Sequence, residues 1–456
     1  MQYNFKFPPT QDVNRAMKSR ILKRKVRGPS KLEVRDYLRK EMLLTPAMAN
    51  WVLGKKKRPA NWTHLEVVEA LILRKKAGQT AYQHMRKKLM MPLPSLTTLR
   101  RRIKGFRVER GMMDASLEIV RKHLEGEPEE NRLCAVSFDE LSVCGDVSYD
   151  QQTDDVIPSS SKMQCIIIRG IRKAFKVPIF INFDIPMSPE LLRSAISRSE
   201  EVGALVLSAT CDFANDNQTL LKDLGVTMED PFFEHPDDPE RKVICMADPP
   251  HMVKRLRDHL WDQGYVLPDG KTKVMKKTLE DIFFDDRAEF QMNWKISERH
   301  LNCYGSERQR VFLATQVFSQ SVAKVLRLNG QEDYAHFIET FDNFFDVANS
   351  TRKEEPVKTL KSGYGGEHTK EQKKVLDDTF TFVKKMRGIT AKGNKKEALF
   401  PFQRGIGMIC KGIPLLWSEI KKRYPGVKYI LTARLNSDVV ENFFSKVCVL
   451  NIYYRE

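Results

Sequence analysis

The hydrophobic pattern is most informative at CAVSFDELSV, residues 134–143, where two adjacent acids interrupt an apolar run typical of a strand. Apolar residues on both sides of Asp139 and Glu140 predict a central strand covered on both faces. Burying an unpaired carboxylate is costly unless a metal ion or a cation compensates it. An acid in this run therefore serves either as a metal ligand or as half of a structural ion pair, and the run alone favours neither.

The pattern continues as further strands and a helix. A helix capped by Ser188 is predicted over 188–203, and buried strands over 162–171, 176–185, 204–210 and 242–248. Asp212 follows one of these strands and Asp248 ends another. Ligands of open α/β sheets collect at the carboxyl ends of strands, so both acids are candidates for a site. The alternative for each is the N-cap of the following helix.

Residues 62–105 show helical periodicity broken by turn signals, which predicts three short helices. Ser95 is the expected N-cap of the third helix, after a turn enforced by Pro92 and Pro94. The predicted apolar faces consist of Leu65, Val68, Leu71 and Ile72, then Ala81, Tyr82, Met85 and Leu89, then Leu96, Leu99 and Ile103. The unit is of helix-turn-helix type, and its candidate DNA-binding residues are Arg100, Arg101, Arg102 and Lys104.

Charge separates the chain into two parts. The net charge is +18, but residues 1–110 carry 28 Lys and Arg against 7 Asp and Glu, while the remainder is nearly neutral. A basic module on a neutral body predicts salt-sensitive binding of a polyanion such as DNA. The alternative is a solvated basic arm or a nuclear-localisation signal, for which 18–27 would suffice.

Composition indicates an intracellular globular protein. The chain has 456 residues, a length that suggests two to four domains, and 41% of them are hydrophobic. Its eight cysteines form no C-x-x-C pair, so we expect reduced, buried thiols and no zinc module. No apolar run approaches membrane-spanning length, and we expect a soluble protein of the cytosol or nucleus.

Several sequence blocks occur in a characteristic order over roughly residues 50–447: PLPS with TLRRRI, SFDEL, ATCDFANDNQ, ADPPHMVKRLRDHL, NWKISERHL, QRVFLATQVFS, FFDVANS and LTARLNSDVVENFFSKV. Together they resemble the P-element transposase family, which includes transposase-like proteins that carry THAP zinc fingers. The resemblance implies an α/β protein with an RNase H-like catalytic core, interrupted by a helical insertion domain and preceded by a helical DNA-binding region. The implied divisions are a basic segment at 1–60, the helix-turn-helix at 61–110, a linker at 111–130, the core at 131–262 and 431–456, and the insertion at 263–430.

The resemblance also implies a chemistry. The family's catalytic acids fall on Asp139, Asp212 and Glu441, which would hold two Mg²⁺ ions for in-line displacement at a DNA phosphate. Without the family resemblance, Glu441 would be interpreted as an ordinary surface acid of a helix. The insertion would bind GTP without a P-loop, because G-x-x-x-x-G-K-[ST] is absent. Its implied nucleotide contacts are Lys295, Val311, Asp346 and Asp438.

Both ends depart from the family pattern. No C2CH zinc finger occurs in the N-terminal sequence, and VCVLNIYYRE replaces the family continuation after Val447. We therefore expect a truncated or domesticated transposase, nuclear and dimeric, with Mg²⁺ and GTP as cofactors and DNA as its partner. The alternative is a non-catalytic DNA- and GTP-binding protein derived from a transposase.

Overall fold

The computed structural model describes residues 62–89, 91–103, 110–143, 148–150, 155–157, 160–283 and 296–452. The chain splits into two compact units, Met1–Arg107 and Val108–Glu456. The predicted basic segment at 1–60 lies outside the described residues.

The first unit contains the three predicted helices, α1 (His64–Ala77), α2 (Gln79–Lys87) and α3 (Leu96–Ile103). Ser95 caps α3 as expected, because its Oγ accepts a hydrogen bond from the backbone N–H of Thr98 at 2.9 Å. Arg100, Arg101 and Arg102 are exposed. The buried core of the unit consists of Trp62, Val67, Ala70, Tyr82, Leu93 and Leu99.

The predicted apolar face of α1 is wrong at two of its positions, whereas Leu71 packs against the core of the unit as predicted. Val68 and Ile72 are exposed, whereas Val67 and Ala70 are buried. The cause is a capping box in which Thr63 and Glu66 exchange hydrogen bonds between side chain and backbone. This box leaves Glu66 fully buried, so the inward face runs through the residues beside Glu66 and one turn after it.

A mixed sheet is the centre of the second unit. In the described residues its strands are β1 (Gly111–Met112), β2 (Leu133–Ser142), β5 (Lys162–Gly170), β6 (Lys176–Phe183), β7 (Leu205–Cys211), β8 (Phe232–His235) and β9 (Asp238–Ala247). Their order in the sheet is β1-β6-β5-β2-β7-β9-β8, so β2, the strand that carries Asp139, is central as predicted. Smaller pairings involve β3 (Ser148–Asp150) with β4 (Asp155–Ile157), and β10 (Tyr265–Val266) with β11 (Lys273–Val274) and β12 (Arg387–Gly388).

The directions of the strands determine which edge of the sheet carries the candidate acids. Strand β2 runs antiparallel to β5 but parallel to β7, and β7 runs parallel to β9. The carboxyl ends of β2, β7 and β9 therefore meet at one edge of the sheet. Each of these strands is predicted by its apolar run, whereas the short edge strands β1 and β8 are not.

Helices surround the sheet and fill the long interval after β9. Ser188 caps α5 as predicted, accepting from the N–H of Leu191. The helices of this unit are α4 (Asp114–Leu124), α5 (Pro189–Glu200), α6 (Asn215–Asp223), α7 (Pro249–Asp262), α8 (Lys276–Phe283), α9 (Glu298–Leu301), α10 (Val311–Val317), α11 (Gln320–Leu328), α12 (Glu332–Ala348), α13 (Thr369–Lys385), α14 (Pro401–Arg423) and α15 (Asp438–Ile452).

The cysteines follow the sequence-based expectation where they are described. Six of them are buried, free thiols: Cys134, Cys165, Cys211, Cys245, Cys303 and Cys410. Within the described ranges, the helices are all too short or too polar to cross a membrane.

Helix α14 packs on β9 through a close approach at Gly405. A Cβ atom added there would collide with Sδ of Met252 and lie 3.1 Å from Cβ of Ala247, the residue before Asp248. Ala247 can move little because it ends the buried strand β9, and Met252, although flexible, is fully buried, so its displacement would disturb its own packing.

We predict that Gly405→Val destabilises the protein by about 1–3 kcal/mol, because the added methyl groups overpack this interface. Urea unfolding monitored by circular dichroism measures the loss. The matched control is Gly426→Val, because a Cβ at Gly426 meets nothing within 4 Å. Equal destabilisation by the two substitutions would contradict the packing argument.

Candidate active site

Strand register places Asp139 and Asp212 at the same level of the sheet edge. Ser137 of β2 is paired with Thr210 of β7, and each acid stands two residues beyond that pair. The next strand adds Asp248, which follows Ala247, the partner of Cys211. The three acids at strand ends that the sequence singled out thus come from neighbouring parallel strands.

The two adjacent acids of β2 have different environments. Glu140 forms an ion pair with Lys162 at 2.7 Å, so it fits the structural alternative. Asp139 has no ion-pair partner among the described residues, and its Oδ1 accepts only from the N–H of Glu140. Burial and the nearby charge of Asp212, with a smaller contribution from Glu441, raise the pKa of Asp139 to about 7. A carboxylate held beside other acids without an ion-pair partner matches the metal-ligand alternative, although the charge of His251 partly offsets the rise in its pKa.

Asp212 is fixed by the turn that follows β7. Its Oδ1 accepts hydrogen bonds from Asn217 Nδ2 at 2.7 Å and from the N–H of Ala214 at 2.9 Å. Phe213 adopts a positive φ of 64° with its side chain buried, a conformation that is costly for a residue with a Cβ. The predicted N-cap role of Asp212 is wrong, because α6 begins later and its N-cap is Ala214.

Asp248 does cap a helix, and it also holds two other groups. Its Oδ2 accepts from the N–H of His251 at 3.0 Å and contacts His251 Nδ1 at 2.7 Å. Its Oδ1 accepts from the N–H of Ser437 at 2.7 Å. Burial alone would raise the pKa of Asp248, but the hydrogen bonds from His251 and Ser437 hold it below its usual range. Asp248 is therefore a charged, buried anchor between α7 and the start of α15.

The segment before α15 is attached to three neighbouring strands. The hydroxyl of Ser137 donates to the carbonyl of Asn436 at 3.2 Å, and the hydroxyl of Thr210 donates to that of Leu435 at 2.7 Å. Together with the bond from Ser437 to Asp248, these contacts form what we call the 435–437 clasp. The clasp delivers Glu441, in the first turn of α15, to the edge that carries Asp139 and Asp212.

Glu441 faces two basic groups of α7. Its Oε1 lies 3.4 Å from Nε2 of His251 and 3.7 Å from Nζ of Lys254. Burial alone would lower the pKa of His251, but its hydrogen bond to Asp248 and the charge of that acid raise it. In the described part of the chain, no three acidic, histidine or cysteine side chains converge closely enough to hold a metal ion.

The donor chemistry of this edge nevertheless fits a hard divalent cation. The acids that repel one another here offer carboxylate oxygens, which Mg²⁺ prefers, and no thiolate is exposed among them. A bound cation would compensate the charge that raises the pKa of Asp139. Of the three predicted catalytic acids, Glu441 is the one that contacts His251 and Lys254 of α7. It would have to give up these contacts to bind the metal.

Comparisons with known proteins identify the family and the fold of this chain. Family models described as "TNP-like, RNase H N-terminal domain" and "TNP-like, GTP-binding insertion domain" match residues 108–225 and 250–361. The solved "Drosophila P element transposase strand transfer complex" superposes with a TM-score of 0.78 at 28% identity, covering 91% of this chain and 92% of that one. "Transposable element P transposase" of Drosophila melanogaster is 31% identical over 381 residues, which is 81% of this chain. The chain belongs to the P-element transposase family.

Another relative is "DNA transposase THAP9" of Homo sapiens, 22% identical over 43% of this chain. The chain spans 49% of the length of the Drosophila relative and 23% of the human one. The predicted α/β fold, an RNase H-like core with a helical insertion domain, is confirmed.

The insertion of this P-element family member contains a buried charge cluster. Lys358 Nζ donates to Asp346 Oδ2 at 2.7 Å and to both oxygens of Asp342 at 3.0 and 3.2 Å. Burial raises the pKa of Asp342, with Lys358 opposing the shift and Asp346 adding to it. Asp346 is thus engaged by a lysine in this structure. Lys295 lies outside the described residues.

Asp438 adjoins the end of α12, the helix that carries Asp346. Asn436 donates through Nδ2 to Asp438 Oδ2 at 2.7 Å and to Asn349 Oδ1 at 3.3 Å. Burial and the charge of Asp248 raise the pKa of Asp438. Val311 begins α10, which packs against α7, and no described hydrogen bond or ion pair joins it to Asp346 or Asp438.

The predicted DNA-binding residues belong to the other unit. Arg100 and Arg101 are exposed on α3, and Arg102 donates to the carbonyl of Trp62 at 3.2 Å while remaining exposed. Lys104 lies outside the described residues.

Sequence reasoning missed four residues at this edge. His251 and Lys254 stand three residues apart after Asp248, a spacing that puts them on one helix face with that acid. This spacing could have identified His251 and Lys254 from the sequence. Arg169 of β5 donates to Ala433 O and Asn436 Oδ1, and neither Arg169 nor Asn436 carries a local signal for this contact.

We predict that Asp139→Asn stabilises the metal-free protein at about pH 8 by about 1–3 kcal/mol and has little effect near pH 4. The pKa of Asp139 is raised from 3.8 to about 7 in the folded protein, so its contribution to stability is complete below about pH 4 and is lost as the pH rises through 7. Thermal unfolding in a chelating buffer at both pH values measures the difference.

The control for this experiment is Asp223→Asn, which changes an exposed acid at the end of α6. It should alter stability little at either pH. A stabilisation by Asp139→Asn that is the same at both pH values would contradict the repulsion between the acids of the edge.

Proposed function

We propose that this protein is a P-element-type DNA transposase that cleaves DNA and transfers strands with Mg²⁺, and that GTP is its cofactor. The observation that carries the proposal is the convergence of Asp139, Asp212 and the Glu441 helix at one sheet edge, through parallel register and the 435–437 clasp. The family membership supports the reaction class. We propose a nuclear location, in keeping with DNA as the substrate.

Asp139, Asp212 and Glu441 are the residues that would hold the metal. When bound at these carboxylates, Mg²⁺ would supply activation of an attacking hydroxyl or water and stabilisation of the leaving oxygen at a phosphodiester. The protein holds the three carboxylates in position. Asn217 and the Ala214 N–H fix the Asp212 carboxylate, the Glu140 N–H fixes Asp139, and the clasp fixes the helix of Glu441. Fixed ligands lose little entropy when the reacting groups arrive.

The nucleotide site is proposed for the insertion, with contacts on Lys295, Val311, Asp346 and Asp438. A carboxylate can accept from both the ring N–H and the exocyclic amine of guanine, which favours GTP over ATP. Asp438 lies in the same first turn of α15 as Glu441. A nucleotide on Asp438 would therefore bear directly on the position of the third catalytic acid.

DNA binding is proposed for the basic N-terminal region. Arg100, Arg101 and Arg102 form an exposed face on α3, and Lys104 continues that basic run in the sequence. Cationic side chains on a short helix bind phosphates and release counterions, so affinity should fall as salt rises. We also propose that the protein acts on DNA as a dimer.

We predict that the purified protein cuts labelled DNA carrying candidate element ends, with Mg²⁺ required and GTP stimulating. Asp139→Asn and Glu441→Gln should each lower the cleavage rate by at least about 100-fold, because each removes a ligand oxygen charge from the metal site. The measurement is single-turnover cleavage on denaturing gels, with DNA affinity determined in parallel.

The control is Asp223→Asn, which should cut at the wild-type rate. Cleavage that survives in both active-site variants would reject the assigned triad. Intact DNA and GTP binding with no cutting by the wild type would instead identify a non-catalytic protein derived from a transposase.

We further predict that Asp438→Asn weakens GTP binding by at least about tenfold and reduces the preference for GTP over ATP, because the amide cannot accept both guanine protons. Titration with a fluorescent GTP analogue, competed by GTP or ATP, measures both effects. Asp346→Asn should behave in the same way, whereas Asp223→Asn should not. Unchanged GTP selectivity in both variants would place the nucleotide elsewhere.

A further inference from the structure

Lys254 is a buried cation beside the candidate catalytic acids. It lies on α7, one helical turn after His251, and only 5% of the residue is exposed. Its Nζ is 3.7 Å from Oε1 of Glu441, the same oxygen that faces His251. The ammonium group therefore points into the edge that carries the acids.

The contacts of Lys254 are incomplete for so buried a charge. In the described residues, Glu441 is the carboxylate that reaches it within 4.0 Å, and the 3.7 Å separation exceeds hydrogen-bond length. A buried charge ordinarily requires hydrogen-bonded partners, since desolvation costs several kcal/mol.

Two other cations among the described residues show the usual arrangement. Arg241, which is buried, makes two hydrogen bonds of 2.6 and 2.7 Å to Glu200. Lys358, which is only partly buried, is bonded to both Asp342 and Asp346. Lys254 is different because the residue is buried and its ammonium has no hydrogen-bonded acceptor among the described residues, an arrangement suited to binding an anion that arrives with the substrate.

We propose that Lys254 is a catalytic residue that binds a nonbridging oxygen of the scissile DNA phosphodiester. This inference rests on the proposed function, because a phosphodiester must approach three carboxylates to react there. A compact ammonium donates up to three hydrogen bonds and offsets that repulsion. Its charge also stabilises the negative charge on the nonbridging oxygens as the attacking oxygen bonds to phosphorus and the leaving oxygen departs with the electron pair.

The competing explanation is that Lys254 only neutralises and positions Glu441. In that case its removal would change the affinity for the metal together with the cleavage rate, because Glu441 would lose both its compensating charge and its position. A phosphate contact predicts a different result, in which metal binding persists and the reaction of bound DNA is slow.

The test compares Lys254→Met with Arg255→Met, which removes a cation from the next position of the same helix. For Lys254→Met we expect cleavage of saturating DNA to be at least about 100-fold slower, with Mn²⁺ affinity within about threefold of wild type by electron paramagnetic resonance. Arg255→Met should cut at nearly the wild-type rate. Lys254→Arg, which retains the charge, should recover part of the rate. Cleavage by Lys254→Met within about threefold of wild type, or a parallel loss of Mn²⁺ affinity, would overturn the proposal.

A second measurement separates failure of this inference from failure of the proposed function. Inorganic phosphate is titrated calorimetrically into the Mn²⁺-loaded full chain, and we expect binding by wild type and Arg255→Met but at least about tenfold weaker binding by Lys254→Met. If the wild type cuts no DNA, the proposed function fails. The phosphate titration still shows whether Lys254 binds a phosphate group. Equal phosphate binding by all three proteins would reject that role. If Lys254→Met does not fold, as judged by circular dichroism, Lys254→Gln replaces it with the same expected losses.

Discussion

The site depends on the 435–437 clasp, a set of buried hydrogen bonds between a short segment and the ends of three parallel strands. Ser137, Thr210 and Asp248 each contribute one contact, across 299, 225 and 189 residues of sequence. A buried backbone segment outside regular structure needs such partners, because unpaired carbonyl and N–H groups are costly. The hydroxyls of β2 and β7 therefore position the third acid, although neither hydroxyl belongs to the acidic set.

The electrostatics of the edge combine repulsion between acids with cations supplied by one helix. Asp139 has a raised pKa because burial and Asp212 both disfavour its charge. Helix α7 begins at the Asp248 cap and presents His251 and Lys254 to Glu441. The fold thus tolerates a cluster of like charges that a purely structural core would avoid, which is the pattern expected where function opposes stability.

What the sequence predicts well is local or follows from strand direction. Apolar runs predict β2 and β7, and parallel register then brings Asp139 and Asp212 together. The face of α1 is mispredicted because the Thr63–Glu66 capping box buries an acid, which a hydrophobic pattern treats as exposed. Arg169 and Asn436 are missed for another reason. Their contacts join segments more than 260 residues apart, and no spacing along the chain encodes them.

The side chain of Asn436 joins the insertion to the core. Asn436 belongs to the clasp through its carbonyl, while its side chain bonds to Asp438 and to Asn349, just beyond α12. The end of α12 is therefore linked to the first turn of α15, which carries Glu441, through the side chain of Asn436. Asp346 lies in the last turn of α12 and is ion-paired with Lys358, which lies beyond the end of that helix. If the nucleotide binds to Asp438, as proposed, it contacts the same helical turn that carries Glu441, so its binding and the position of that carboxylate depend on one short segment.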